Sequence, residues 1–312
     1  MTVGVVVMAY GTPASSSQIE PYYTHIRRGR PPTPEQLADL TARYDAIGGI
    51  SPLAARTEAQ RAAIESHLEA THPGRFSVRL GQKHAAPFIE DGIAALAADG
   101  VSCIIGVVLA PHWSGFSVGQ YNERADAAAT EHHLPFAGIE RWADLESFVA
   151  HQAASLQERL ADVAARSELP VKVVFTAHSL PERVLQDDPY PDELHASAAA
   201  IANAAGLGAW GDWGLAWQSA GRTPEPWRGP DILTVIDELA ATGRAGGVVV
   251  VPQGFTSDHL EVVYDLDIEA AHRAAGVGLA FARTDVVNAD PAVMAQLADL
   301  VADRADRLEA SR

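Results

Sequence analysis

The sequence predicts an α/β protein of two similar domains, each built on a parallel sheet whose strands are joined by helices. Short runs rich in Val, Ile, Leu and aromatic residues alternate with stretches of helical periodicity, four runs in each half of the chain. The end of the first run, Ala9-Tyr10-Gly11-Thr12-Pro13, is matched by that of the fifth, Ala177-His178-Ser179-Leu180-Pro181, at an offset of 178 − 10 = 168 residues. A length of 312 residues also favours two domains over one.

In chain order the strand candidates are VGVVVM (3–8), FSVRL (76–80), CIIGVVLA (103–110) and PFAGI (135–139), then VKVVFT (171–176), WGLAWQ (213–218), GVVVVP (247–252) and GLAFA (278–282). The third and seventh end in Pro111 and Pro252, and each leads through polar residues to a helix carrying a tyrosine, Tyr121 or Tyr264. About 67 residues separate the first two strands but about 36 separate the fifth and sixth, so the first half carries an insertion. Within it TPEQLADLTARYDAIGG predicts a helix, with Thr33 as N-cap, Pro34 at the first position, Gln36 completing a capping box and Gly48-Gly49 as the stop. Leu37, Leu40, Tyr44 and Ile47 form its apolar face.

Composition narrows the function. At 47% hydrophobic and 20% charged, with mean hydropathy near zero, the chain is a folded globular protein, not a disordered one. A net charge of -17 argues against nucleic acid or an anionic membrane as the main partner. The longest apolar runs fall short of the roughly 20 residues of a spanning helix, and no basic leader opens the chain, so a cytoplasmic protein is expected. The single cysteine, Cys103, excludes a disulfide, a zinc knuckle and a cysteine-ligated iron–sulfur cluster within this chain.

Ligands of open parallel sheets bind beyond the C-terminal strand ends. The repeat therefore predicts a cleft between the domains, in which a flat ligand meets the Tyr10 phenol on one face and the His178 imidazole on the other. In DHLEVVYDLDIEAAH, Glu261, Asp265 and Glu269 are spaced by four, which on an α-helix makes one acidic stripe. Such a stripe is ordinarily a solvated face. Beginning just past a strand end, on the same wall as His178, it also suits a first-row dication such as Fe²⁺. The island His25-Ile26-Arg27-Arg28-Gly29-Arg30 reads either as a solvated turn or, with Arg43, Tyr44 and Ser51, as a lip gripping carboxylates. Lys83 and His84 follow the second strand and fall near the same ends. Gly206-Leu-Gly208-Ala-Trp-Gly211 has dinucleotide-loop spacing but precedes a strand instead of following one, and the tryptophans at 210, 213, 217 and 227 read mainly as core.

Several strings are long enough to be specific. VVMAYGTP, YYTHIRRGRPP, RYDAIGGISPLA, GQKHAAPFIED, VLAPHWSGFSVGQYNERA, TAHSLPERV, WQSAGRTPEPWRGPD and VPQGFTSDHLEVVYDLDIEA resemble the ferrochelatases, and most closely those of the gram-positive type that act on coproporphyrin. The resemblance runs from Val3 to about residue 285. It implies two flavodoxin-like (Rossmann-like) domains around a porphyrin cleft, the chelatase fold: 1–140 with a porphyrin-lip insertion at 14–50, 141–285 with the metal site, and a C-terminal helix in 286–312 packing back on the first domain. It implies insertion of Fe²⁺ into coproporphyrin III to give coproheme, both as substrates, with no permanently bound cofactor. By motif, His178 and Glu261 match the metal-site pair, Asp265 and Glu269 an acidic path for the metal, and Tyr10 a ligand to iron from the opposite face. Arg27, Arg43, Tyr44, Ser51 and Tyr121 match contacts to the macrocycle or its carboxylates. A monomer is expected, with the coproheme decarboxylase that follows in the route as a candidate partner. The alternatives are another tetrapyrrole chelatase, differing in metal or porphyrin, and a haem carrier without catalysis, which would need Tyr10 but not the acidic stripe.

Overall fold

The computed structural model describes residues 2–208, 212–221 and 223–311. The chain divides into two compact units, Met1–Trp142 with Asn288–Arg312, and Ala143–Val287.

Unit 1 is built on β1 (Val3–Ala9), β2 (Phe76–Gln82), β3 (Ile104–Val108) and β4 (Phe136–Ile139), all parallel, in the order β2-β1-β3-β4. Unit 2 repeats that order with β5 (Val171–His178), β6 (Trp213–Gln218), β7 (Gly247–Val251) and β8 (Ala280–Arg283), as β6-β5-β7-β8. The central strands have no polar face: Val3, Val5, Val6, Val7 and Met8 of β1 and Val248 to Val251 of β7 are wholly buried, as a sheet covered by helices on both faces requires. In each unit the first and third strands are neighbours from which the connections diverge. Their C-terminal ends form the point where ligands bind in such sheets.

The helices of unit 1 are α1 (Ile19–Ile26), α2 (Pro34–Ala46), α3 (Leu53–Thr71), α4 (Ile89–Ala98) and α5 (Gln120–Glu131). Unit 2 contains α6 (Glu146–Ala164), α7 (Tyr190–Ala204), α8 (Ile232–Thr242), α9 (Leu260–Val262) and α10 (Ala271–Gly276), and the chain closes with α11 (Pro291–Ala310). In α2, Thr33 and Gln36 form the reciprocal capping box, and Gly48 and Gly49 end the helix in the left-handed conformation, φ +100° and +99°. Its apolar face is shallow, with only Tyr44 fully buried. Asp290 caps α11, which packs along α3 in unit 1.

The segment 258–272 departs from the expected single α-helix. After α9 the chain widens into a π-helix over Val263–Ala270 and returns to α-geometry in α10. A π-helix bonds residue i to i+5 and has slightly more than four residues per turn, so a spacing of four still leaves side chains on roughly one face. A second π-helix, Gly115–Gly119, follows β3 at the equivalent place in unit 1. Of the dinucleotide-like motif, Trp210 and Gly211 lie outside the described residues. Trp217 is core, and Trp213 packs edge-on against Phe175.

Candidate active site

In unit 2, His178 is the last residue of β5 and Glu261 lies in α9, just past β7. His178 Nδ1 and Glu261 Oε2 are 3.0 Å apart, both side chains about a third exposed. A carboxylate only accepts, so Nδ1 carries the proton in this bond and Nε2 remains on the other side of the ring. Burial opposes protonation of His178, but the Glu261 carboxylate, as charge and as acceptor, and Asp265 beyond it raise its pKa above the ordinary imidazole value. Burial would likewise raise Glu261. The His178 charge and hydrogen bond, with His259 on the other side, instead hold it well below the usual carboxylate range.

His259 was not singled out from the sequence. Its Nδ1 donates to the Ser257 carbonyl at 2.9 Å, which turns Nε2 toward Glu261 Oε2 at 3.6 Å. The signal was present in the spacing: His259 stands two residues before Glu261 and lies in the extended conformation that precedes α9, so both side chains reach the same point. Among the described residues no group of three or more His, Cys, Asp and Glu side chains is arranged to enclose a metal ion.

The rest of the acidic series is dispersed. Asp265 is buried, and its Oδ2 accepts from Ser219 Oγ at 2.5 Å. Glu269 lines an open cavity of about 450 Å³ with Tyr264, His272 and Arg273, a cavity that neither Glu261 nor Asp265 lines. Asp265 and Glu269 thus lie in different surroundings, the one buried and the other at an open cavity.

In unit 1, Tyr10 follows β1 and is 42% exposed. The β1–β2 ladder continues past the strands, His84 N donating to Tyr10 O at 2.9 Å, and the two rings stack with centroids 4.6 Å apart. His84 Nδ1 in turn meets His25 Nδ1 at 3.0 Å. Burial, with Lys83, His25 and Arg124 nearby, pushes the pKa of His84 down to about 3, so this imidazole is neutral. Gly11 must be glycine: its φ is +91°, and a Cβ would stand 2.9 Å from both the backbone N and the Cβ of Ala85. Tyr121 is buried beneath Lys83, whose Nζ lies 4.9 Å from the ring centroid, and its phenol is pushed well up by burial and by Tyr10. Burial and the Arg124 and Arg28 charges lower Lys83 to about 8.

The other lip residues differ in how they are presented. Arg27 lies over the Tyr23 ring at 5.6 Å with its Nε bonded to the Arg30 carbonyl, and Arg43 pairs with Asp39 at 3.5 Å; both guanidinium groups are partly open to solvent. Tyr44 is buried, its hydroxyl 3.4 Å from that of Thr12, and Ser51 Oγ is buried as the acceptor of the Leu53 N–H at the start of α3. In this arrangement Tyr44 and Ser51 brace the insertion.

No helix among the described residues is long and apolar enough to cross a membrane. Solved structures with this architecture include SirB from Bacillus subtilis with Fe³⁺, at a TM-score of 0.55 and 14% identity over 99% of this chain and 96% of that one. The siroheme-biosynthesis enzyme CbiX of denitrifying bacteria has a TM-score of 0.53 at 13% identity, covering 97% and 99% of the two chains. At such identities the likeness is one of fold. Sequence carries more. The coproporphyrin III ferrochelatases of Bacillus subtilis and Geobacillus kaustophilus are 42% and 43% identical, over 98% and 97% of this chain and 98% and 96% of theirs. The ferrochelatase of Herpetosiphon aurantiacus is 43% identical over 95% of this chain and 97% of its own. The family model for ferrochelatase matches residues 2–305, which takes in both sheets, both π-helices and all but the end of α11, and by that match the chain belongs to the ferrochelatase family.

Proposed function

We propose that the protein inserts Fe²⁺ into coproporphyrin III, giving coproheme for a later decarboxylation. The observation that carries this reading is the His178–Glu261 pair at the ligand-binding strand ends of unit 2. Metalation of a free-base porphyrin must remove two N–H protons and strip water from the cation. With Nδ1 held by Glu261, His178 presents Nε2 as the base or ligand, and the neighbouring carboxylate stabilises the imidazolium once a proton has arrived. Asp265, buried and held by Ser219, adds negative charge behind the pair, and Glu269 offers a carboxylate to an approaching cation.

The residues of unit 1 serve the porphyrin. Tyr10 offers a phenol oxygen to product iron, a known type of haem ligand. Tyr121 and Lys83 form the floor beside it, and Arg27 and Arg43 supply the open guanidinium groups that suit propionates, with Tyr44 and Ser51 behind them. The protein needs no resident cofactor in this scheme and acts as a cytoplasmic monomer, passing product to the decarboxylase.

The test is anaerobic insertion of Fe²⁺ followed by absorbance, with coproporphyrin III and protoporphyrin IX in parallel. Coproporphyrin III has four propionates and protoporphyrin IX two. One charge-assisted bond is worth about 1.5 to 3 kcal/mol, so kcat/KM should favour coproporphyrin III by roughly tenfold or more. Equal or better efficiency with protoporphyrin IX overturns the choice of porphyrin and leaves iron insertion standing.

A further inference from the structure

Gln218 closes β6 and is almost wholly buried, at 1% exposure. It is the register partner of His178 on β5, and residues in register along a parallel pair send their side chains to the same face of the sheet. Gln218 Nε2 donates to the backbone carbonyl of Glu261 at 2.9 Å, while the Glu261 carboxylate meets His178 at 3.0 Å. Two neighbouring strand ends thus hold one residue, one by its main chain and the other by its side chain. The frame itself is tied down: Ser179 N donates to the Gln218 carbonyl at 2.8 Å, joining the backbones on either side of the pair.

Glu261 needs such an anchor. It stands in a single α-turn immediately before the π-helix Val263–Ala270, where the hydrogen-bond pattern changes and the helix does little to fix its own first residues. The residue just after β6 supports the same element: Ser219, a non-glycine at φ +60°, bonds Asp265. Strain of that kind persists where the surroundings demand a geometry. Gln218 Oε1 is buried with no partner among the described residues, a cost that an apolar side chain of similar size would avoid. The bond to Glu261 is what an amide provides at this position.

We propose that Gln218 is a positioning residue for metal insertion: by holding the Glu261 main chain it sets the Glu261 carboxylate against His178, and through that pair it sets affinity for the entering cation. This rests on the reading of His178 and Glu261 as the metal-insertion pair. Outer partners of metal ligands typically change affinity or activity by 10- to 100-fold.

The test uses the full chain with Gln218→Met and Gln218→Leu, neither of which offers a donor to the Glu261 carbonyl. Co²⁺ binding is read from its ligand-field absorption, porphyrin binding from fluorescence quenching, and KM for Fe²⁺ from anaerobic insertion. Either variant is expected to weaken Co²⁺ binding and raise KM for Fe²⁺ by about 10- to 100-fold. Porphyrin affinity should stay within about twofold. In a Glu261→Gln background, where the carboxylate to be positioned is gone, adding Gln218→Met should change Co²⁺ affinity by less than about twofold. Unchanged Co²⁺ affinity and KM in both single variants overturns the proposal, as does an equal loss from Gln218→Met in both backgrounds, which would mark a general structural effect. Should Gln218→Met fail to fold, Gln218→Leu carries the same comparison. A wild-type protein that binds Co²⁺ but inserts no iron refutes the activity and leaves the Co²⁺ comparison to decide the role of Gln218.

Discussion

His178 and Tyr10 occupy equivalent places after equivalent strands, yet their surroundings prepare them for different chemistry. His178 is flanked by carboxylates that favour its charged form, whereas Tyr10 leans on His84, an imidazole kept neutral by burial and nearby cations. The imidazole beside the Tyr10 ring therefore adds no charge of its own. Tyr10→Phe should therefore shift the Soret and charge-transfer bands of bound ferric coproheme while metal-free coproporphyrin binds within about twofold of wild type, since stacking survives and only the oxygen is lost. A ferric spectrum identical to wild type would place the axial ligand elsewhere.

The element that shapes unit 2 is the helix broken into α9, the π-turn and α10. Its inner side is held by Gln218 and Ser219, and its outer side by Arg283 of β8. Arg283 is 15% exposed and forks onto Asp267 at 2.7 and 2.9 Å, with Asp258 a further 2.9 Å contact. Removing one member of a largely buried network strands its partners, so Arg283→Ala should destabilise the protein by about 2 to 3 kcal/mol in denaturant unfolding, the partial exposure of Asp267 keeping it at the low end. A loss under about 0.5 kcal/mol, the scale of an ordinary surface change, would show that the brace is not needed. The sequence makes some of this legible and conceals the rest for a physical reason. Thr33, Gln36 and Gly48 announce α2 because capping is decided within a few residues, and the strands show because both faces are buried. The π-turn leaves no mark in the sequence, because the spacing of Glu261, Asp265 and Glu269 suits an α-helix as well. His259 shows in the sequence only as the residue two before Glu261, and the bond from Gln218 to the Glu261 carbonyl exists only once β6 and α9 are assembled. Arg27 and Arg43 are partly exposed, while the hydroxyls of Tyr44 and Ser51 meet Thr12 and the Leu53 N–H.

At the scale of the whole molecule, the two units share a strand order, and unit 1 carries a built-in sensitivity to acid. His84 and the fully buried His112 both have pKa values lowered to about 3 by burial, against about 6.5 unfolded. Their contribution to stability is complete above about pH 6.5 and falls as pH drops toward 3, because over that range the unfolded chain binds protons that the folded chain refuses. Each group adds up to about 1.4 kcal/mol per pH unit to the slope. The slope of unfolding free energy between pH 4 and 6 should therefore flatten in a His84→Gln, His112→Gln protein, and an unchanged slope would mean that neither ring is held neutral. If iron is inserted through the His178–Glu261 pair, turnover and porphyrin binding should part company when measured together in wild type, His178→Ala and Glu261→Gln. Wild type should form coproheme from Fe²⁺ and coproporphyrin III, each variant should lose at least about 100-fold in turnover, and both should still quench porphyrin fluorescence with near wild-type affinity. Turnover within a factor of a few of wild type in both variants would contradict insertion through that pair.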